Sequence, residues 1–246
     1  MKNSRSKPVG QSKPTPACFA CQWRDRSQWC ALEPEEVSEL SEKKSNHFYT
    51  PGQVVFNQGD TFSGIFCVSE GTVSLRRTDS RGNTILVRLC HAGDTIGYRD
   101  FFAETEFSVT AQAVSPTTLC FFPAKDFQAL LNASPALGME VTRRLAQDAG
   151  QAEEALLRSS TLPVRVRMAH LLLALKERYG QGLDDGTLRL VLPLSRQDIA
   201  DLLGTRPETV ARVIHSLEID GVTRFSGRNV LIPDLDLLLD EVDPEE

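Results

Sequence analysis

The 246-residue sequence lacks any apolar run near the ~20 residues that a membrane helix needs. Its amino-terminal region also lacks the apolar core of a signal peptide, so we expect a cytoplasmic protein with no membrane segment. Motifs of covalent and phosphate chemistry are missing as well, since the sequence has no nucleophile elbow, phosphate loop or HExxH zinc motif. These absences argue against an enzyme.

The sequence also lacks a surplus of positive charge, because its formal net charge is -6. A basic coat that would bind nucleic acid without sequence preference is therefore excluded, and any affinity for DNA must be local. A local source exists where arginines gather between residues 196 and 228. They are Arg196, Arg206, Arg212, Arg224 and Arg228.

Residues 195–221 read SRQDIADLLGTRPETVARVIHSLEIDG and predict two short helices around one glycine, Gly204. Ser195 and Asp198 have the spacing of a capping box, which marks the start of the first helix, and Pro207 suits the first position of the second. Apolar residues continue at helical spacing through both helices. They are Ile199, Leu202, Leu203, Val210, Val213, Ile214 and Leu217. This layout is typical of a helix-turn-helix and predicts sequence-specific DNA binding.

The region before this motif predicts a β domain followed by a long helix. Short β-favouring runs separated by turn signals fill residues 33–134. In one of the predicted strands, Ile85, Val87 and Leu89 are expected to form the buried face. Residues 1–17 are basic, proline-rich and predicted to be disordered. Residues 136–160 predict one helix, 164–179 another, and 224–232 a hairpin that forms the wing of a winged helix.

The long helix carries a narrow apolar stripe that fits a seam between two copies of the chain. The predicted seam consists of Val141, Leu145, Asp148, Ala152 and Leu156. Asp148 would face its own copy across a two-fold axis and repel it. The predicted domains are therefore a leader (1–30), a β-roll sensor (31–135), a dimerisation helix (136–160) and a DNA-binding domain (161–246).

Three β-domain segments, PGQVVFNQGD, CVSEGTVSL and HAGDTIG, precede the helix-turn-helix in a characteristic order. With it they give residues 18–240 a sequence that resembles the Crp–Fnr superfamily of bacterial transcription regulators. The resemblance implies an α+β fold with a cupin-like β-roll of the cyclic-nucleotide-binding type, a dimerisation helix and a winged helix-turn-helix. It also implies double-stranded DNA, a second copy of the chain and RNA polymerase as partners.

In this superfamily a Glu and an Arg four residues later read base edges, and they match Glu208 and Arg212 here. Arg can bond bidentately to guanine, and Glu can accept from cytosine. A palindrome of TTGAT-like half-sites is expected, with Pro207 and Ala211 beside the two readers. Further predicted DNA contacts are Arg196, Arg206, Thr209 and Arg228.

Members that bind cyclic nucleotides carry a Glu and an Arg in the β-roll, and Tyr98 and Phe107 stand at these positions here. Without that Arg, a phosphate loses its main charge-assisted partner. Cyclic nucleotide binding is therefore not expected.

Three of the six cysteines lie together as Cys18-x2-Cys21-x8-Cys30, which is a pattern of soft-metal ligands. Four thiolates bind either an iron–sulfur cluster or zinc, and spacing does not choose between them. The resemblance extends to the oxygen-sensing Fnr branch and implies a [4Fe–4S] cluster, with Cys120 as fourth ligand. Cys67 and Cys90 are expected to pack as small apolar residues. The alternative is a small-molecule, nitric oxide or zinc-dependent sensor without a cluster.

Overall fold

A computed structural model describes residues 18–242, and the disorder predicted for residues 1–17 lies outside them. The chain forms two compact units, Met1–Ala149 and Gly150–Glu246. The first is a β-roll with helices and the second a winged helix, so the predicted α+β fold is confirmed. The two units divide inside the long helix, and the predicted four-part division of the chain stays a prediction.

Two four-stranded antiparallel sheets form the β-roll. Their strands are β1 (Ser45–Tyr49), β2 (Val54–Phe56), β3 (Gly64–Glu70), β4 (Thr72–Thr78), β5 (Thr84–His91), β6 (Thr95–Ile96), β7 (Thr110–Ala113) and β8 (Thr117–Pro123). The order is β1-β8-β3-β6 in the first sheet and β2-β7-β4-β5 in the second. Residues from both sheets, among them Tyr49, Phe66, Val73 and Ala111, are buried in one core.

Strand β5 buries a different face from the one expected. Leu86 and Cys90 are buried, whereas Ile85 and Val87 are 48% and 43% exposed, so their predicted burial is wrong. Residues 85–87 are all apolar, and alternation cannot choose a face in such a run. The pairing with β4 also shifts register at Val87, which forms a bulge that the local pattern does not reveal.

Three helices interrupt the region that was expected to be entirely β: α1 (Pro34–Lys43), α2 (Tyr98–Phe102) and α3 (Ala124–Ala133). Helix α1 begins with a capping box between Glu33 and Glu36, and Pro34 occupies its first turn. The capping box satisfies backbone N–H groups that have no partner within the first turn, and Pro34 lacks such a group. Both features can be recognised in the sequence.

The long helix α4 (Pro135–Thr161) confirms the predicted helix to within one residue at each end. Its first half packs on the β-roll, where Leu137 and Val141 are buried and Leu145 is partly buried. This corrects the predicted seam at Val141, because its own chain covers that side chain. In the second half Ala152 is exposed, and Leu156 is 68% exposed.

Asp148 also faces the β-roll. Its carboxylate accepts hydrogen bonds from Arg88 Nη1 at 3.0 Å and from the Tyr98 hydroxyl, and its side chain is only 13% exposed. One turn earlier, Arg144 Nη2 lies 2.9 Å from an Asp94 oxygen. The predicted repulsion between two Asp148 carboxylates is therefore wrong, because Arg88 of the same chain offsets this charge.

The second unit confirms the predicted winged helix. Its elements are α5 (Val164–Tyr179), β9 (Gly180–Gly182), β10 (Leu188–Val191), α6 (Arg196–Leu202), α7 (Pro207–Ile219), β11 (Arg224–Ser226), β12 (Asn229–Ile232) and α8 (Leu235–Asp240). The sheet order is β11-β12-β10-β9, and β11 and β12 form the wing. Across residues 18–242, no helix combines the length and apolarity needed to cross a bilayer.

The Asp148→Ala substitution is expected to lower the free energy of unfolding by about 1–3 kcal/mol, because Arg88 and Tyr98 lose a shared acceptor in a mostly buried site. Glu153→Ala removes the same charge from an exposed position of α4 and is expected to change it by less than about 0.5 kcal/mol. Urea unfolding followed by circular dichroism measures both values. Equal losses in the two variants would contradict the importance of the Asp148 contacts.

Candidate functional site

Residues 18–31 dock on the first sheet through three short 3-10 helices, Cys18–Ala20, Arg24–Arg26 and Gln28–Ala31. The indole Nε1 of Trp23 donates to the Ser69 carbonyl oxygen at 3.1 Å. The Gln28 amide donates to Thr95 Oγ1 at 2.5 Å. These contacts fix the end of the leader against strands β3 and β6.

Trp29 anchors the docked segment in the core. It is 7% exposed, and its ring centroid lies 5.3 Å from that of Phe122 and 6.1 Å from that of Phe127. Its Nε1–H donates to Cys67 Sγ at 3.1 Å. Buried aromatic rings dominate core energetics, so Trp29 holds the leader more firmly than the exposed contacts do.

A pocket that is partly open to solvent lies between the docked leader, α1 and the first sheet. Four cysteines line it, Cys18, Cys21, Cys67 and Cys120, and we call it the thiol pocket. Its basic lining residues are Arg24 and Lys44. Hydrophobic side chains, including Trp29 and Phe122, form much of the remaining wall.

The structure brings together three of the four predicted metal ligands. Cys18, Cys21 and Cys120 line the thiol pocket, whereas Cys30 is exposed and is not part of its lining. Cys90 is fully buried in the core between the sheets, which agrees with apolar packing. Cys67 instead joins the thiol pocket. Within residues 18–242, no three His, Cys, Asp or Glu side chains are grouped closely enough to hold a metal ion.

Two thiols of the pocket, those of Cys18 and Cys67, favour their protonated forms. Burial raises the pKa of Cys18, while the charge of Lys44 and the Ser41 hydroxyl oppose the rise. Burial raises the pKa of Cys67 far above its usual range, and the nearby Cys120 thiol adds to this effect. Because metals bind thiolates, a soft metal entering the pocket must displace protons.

The two positions that cyclic nucleotide binders use for Glu and Arg are occupied by buried aromatic residues. Tyr98 is 4% exposed and bonds to Asp148. Phe107 is 2% exposed and stacks on Phe56 with ring centroids 3.8 Å apart. Neither side chain offers the positive charge that a cyclic phosphate needs.

The second candidate site is the helix-turn-helix. Ser195 Oγ accepts from the Asp198 backbone N–H at 3.1 Å, and Asp198 accepts from the Ser195 N–H at 2.8 Å, so the predicted capping box is present. Gly204 has φ +59°, a left-handed conformation that glycine adopts without steric cost. Buried Ile199, Val210 and Ile214 pack the two helices into the core.

Helix α7 presents the predicted base readers to solvent. Glu208, Ala211 and Arg212 are exposed, as is Arg206 at the N-cap, whereas Pro207 and Thr209 are half-buried. Arg212 Nη2 donates to Thr209 Oγ1 at 3.2 Å, which orients the guanidinium along the helix. Arg228 is exposed beside the turn of the wing. The predicted readers are therefore accessible, and their contacts with bases stay predictions.

Arg196 contacts the wing. Its guanidinium carbon lies 4.6 Å from the centroid of the Phe225 ring, in a cation–π arrangement that links α6 to the wing. The side chain is half-buried, and burial lowers its pKa. Its predicted contact with DNA stays a prediction.

Comparison with known proteins gives two family matches. The model of the cyclic nucleotide-binding domain matches residues 46–134, and that of the Crp-like helix-turn-helix domain matches residues 166–241. The cyclic AMP receptor protein of Thermus thermophilus is 31% identical over 207 residues, covering 84% of this chain and 92% of that protein.

Two further relatives cover similar lengths. The transcriptional activator protein FnrL of Cereibacter sphaeroides is 29% identical over 229 residues, which is 91% of each chain. The solved structure of a CRP/FNR-family transcriptional regulator from Thermus thermophilus is 25% identical, with a TM-score of 0.66. That match covers 82% of this chain and all of the other.

Arg212→Ala is expected to weaken binding to a matched palindrome by about 1–3 kcal/mol and to relax base preference, because it removes an exposed bidentate donor from α7. Arg228→Ala is expected to weaken binding to all sequences alike, because the wing carries it to the phosphate backbone. Titrations of both variants on matched and altered palindromes measure these effects. Unchanged discrimination in Arg212→Ala would contradict its assignment as a base reader.

Proposed function

The chain belongs to the Crp–Fnr superfamily of transcription regulators, and we propose that it senses oxygen through a [4Fe–4S] cluster in the thiol pocket. The matched domains and relatives are regulators rather than enzymes, so the chain is a DNA-binding transcription regulator. The observation that carries the finer proposal is the meeting of Cys18, Cys21 and Cys120 in one pocket.

Four thiols at the wall of one pocket suit such a cluster, in which each iron takes one terminal ligand. A single zinc ion also binds four thiolates, and the choice of a cluster follows from the resemblance to the Fnr branch. When bound, the cluster would supply iron–sulfur bonds that oxygen can break. While these bonds last, Cys18 and Cys21 would connect the leader to Cys120 on β8.

A change in how the leader packs can alter the packing of α4, because both contribute to the same core. Trp29 beside the thiol pocket, Val37 of α1 and Leu137 and Val141 of α4 are buried in the same hydrophobic core as Cys120. Close-packed cores do not deform continuously, so a shift of Trp29 changes the packing of the first half of α4. We place the seam between two copies on the second half, at Ala152 and Leu156, where the side chains are exposed.

Two copies joined along α4 would present two α7 helices to a palindromic DNA site. We propose that the palindrome has TTGAT-like half-sites, which Glu208 and Arg212 read. Pro207 and Ala211 flank the readers, and Arg206, Thr209 and Arg228 add contacts nearby. A regulator bound at a promoter acts on RNA polymerase, which we include as a partner. Because its target is chromosomal DNA, we place its action in the cytoplasm.

A second candidate function is a small-molecule sensor without a cluster, which the match to the cyclic nucleotide-binding domain favours. Buried Tyr98 and Phe107, however, offer no positive charge to a bound phosphate. The thiol pocket therefore makes the oxygen-responsive function the stronger proposal.

Anaerobic purification tests the proposed function. The wild-type protein is expected to be brown, to contain iron and acid-labile sulfide, and to bind the palindrome; exposure to air should abolish colour and binding together. Absorbance, metal analysis and fluorescence anisotropy on labelled DNA measure these properties. Colourless protein that contains zinc, or DNA binding unchanged by air, would contradict the proposal.

A further inference from the structure

We propose that the turn formed by residues 91–94 couples the docked leader to helix α4, with Asp94 as the residue that connects the two. The turn joins strands β5 and β6. It gives the leader a polar connection to α4 in addition to the shared core. The coupling rests on the proposed function only for its use, which is to let the state of the leader alter dimerisation.

The leader contacts this turn through Trp23. Three atoms of the Trp23 side chain lie 3.4, 3.6 and 3.6 Å from the point where a Cβ atom would stand at Gly93. Gly93 has φ +97°, a left-handed conformation that glycine adopts without steric cost. Because residue 93 has no side chain, the indole packs directly against the backbone of the turn.

Backbone hydrogen bonds fix the turn against strand β3. The Gly93 N–H donates to the Val68 carbonyl oxygen at 2.9 Å, and the Val68 N–H donates to the Asp94 carbonyl oxygen at 2.9 Å. The next residue of the strand is Ser69, whose carbonyl oxygen accepts from the indole of Trp23. The turn and the leader are thus bound to consecutive residues of one strand, so the packing of one depends on the position of the other.

Asp94 connects the turn to α4. Its Oδ2 accepts from the His91 N–H at 2.8 Å, and its Oδ1 accepts from Arg144 Nη2 at 2.9 Å. The Asp94 side chain is 14% exposed and that of Arg144 is 29% exposed, so salt screens this pair less than it screens a surface pair. Arg144 Nε also lies 4.0 Å from an Asp148 oxygen. Asp94 is therefore oriented by its own turn and holds a side chain of α4.

Packed side chains and hydrogen bonds of this kind carry energetic coupling between sites. While Trp23 packs on Gly93, the turn holds Asp94 in the orientation that binds Arg144, and the first half of α4 stays on the β-roll. When the leader leaves, the turn loses the indole that covers it, and Arg144 loses an oriented partner. Coupling is reciprocal, so loss of the Arg144 contact loosens the leader in turn.

Hydrogen exchange of the full chain, followed by mass spectrometry, tests this reciprocity. Arg144→Gln is expected to speed exchange of the leader backbone around Trp23 about fivefold or more, because the turn beneath the indole loses its partner on α4. Leader exchange is expressed relative to that of strand β7, which corrects for a general loss of stability.

Arg143→Gln is the matched control for this measurement. It removes the same charge from the preceding residue of α4, where the side chain is 61% exposed and pairs with Glu140. Its leader is expected to exchange at the wild-type rate. Equal leader exchange in the Arg143 and Arg144 variants would overturn the proposal.

A double-mutant cycle measures the coupling in the other direction. Trp23→Leu and Asp94→Asn are each expected to speed exchange of residues 137–148 about fivefold or more, and the double variant is expected to exchange no faster than Asp94→Asn alone. Asn keeps the size of the side chain and an acceptor for the His91 N–H, but it removes the charge that pairs with Arg144. Effects that multiply in the double variant would show independent contributions and overturn the coupling.

Both experiments use protein purified in air, so their outcomes do not depend on a cluster. A cycle without coupling overturns the role of the turn and leaves the oxygen-responsive function standing. A wild type that stays colourless after anaerobic purification overturns the proposed function, whereas the cycle still decides whether the turn couples the leader to α4.

Discussion

The packing of Trp29 into the β-roll is the interaction on which the sensory half depends. This one side chain contacts Phe122 and Phe127, donates to Cys67 and shares a core with Val141 of α4. Without it, the leader would be held mainly by the hydrogen bonds of Trp23 and Gln28, each of which contributes only about 0.5–1.5 kcal/mol of net stability. The site, the strand behind it and the long helix are therefore parts of one packed core.

The DNA-binding half could be derived from the sequence because its determinants are local. Ser195 and Asp198 are three residues apart, Gly204 follows six residues later at the end of α6, and the buried stripe recurs at helical spacing. The cation–π contact of Arg196 was not predicted. Its partner, Phe225, comes from the wing, and a contact across 29 positions of sequence leaves no periodic signal.

The β-roll was predictable as a class but not in detail. Turn signals and alternation identify strands, yet the face of β5 depends on a bulge against β4, and the neighbour of Cys120 depends on which strands pair. The capping box at Glu33 and Glu36 marks the start of α1, a helix that was not predicted although the signal is local. Nothing near Cys67 indicates that β3 will lie beside β8. The leader cysteines and Cys120 were therefore predicted as ligands, whereas the place of Cys67 in the pocket was not.

Helix α4 illustrates the same limit with a functional consequence. The apolar stripe of α4 from residue 141 to 156 looks continuous in the sequence. Its first half, however, packs on the β-roll through Val141 and through the hydrogen bonds of Asp148 with Arg88 and Tyr98. Only the second half is open. This division of the stripe fits the proposed mechanism, in which one end of α4 responds to the core beside the thiol pocket and the exposed end meets another copy.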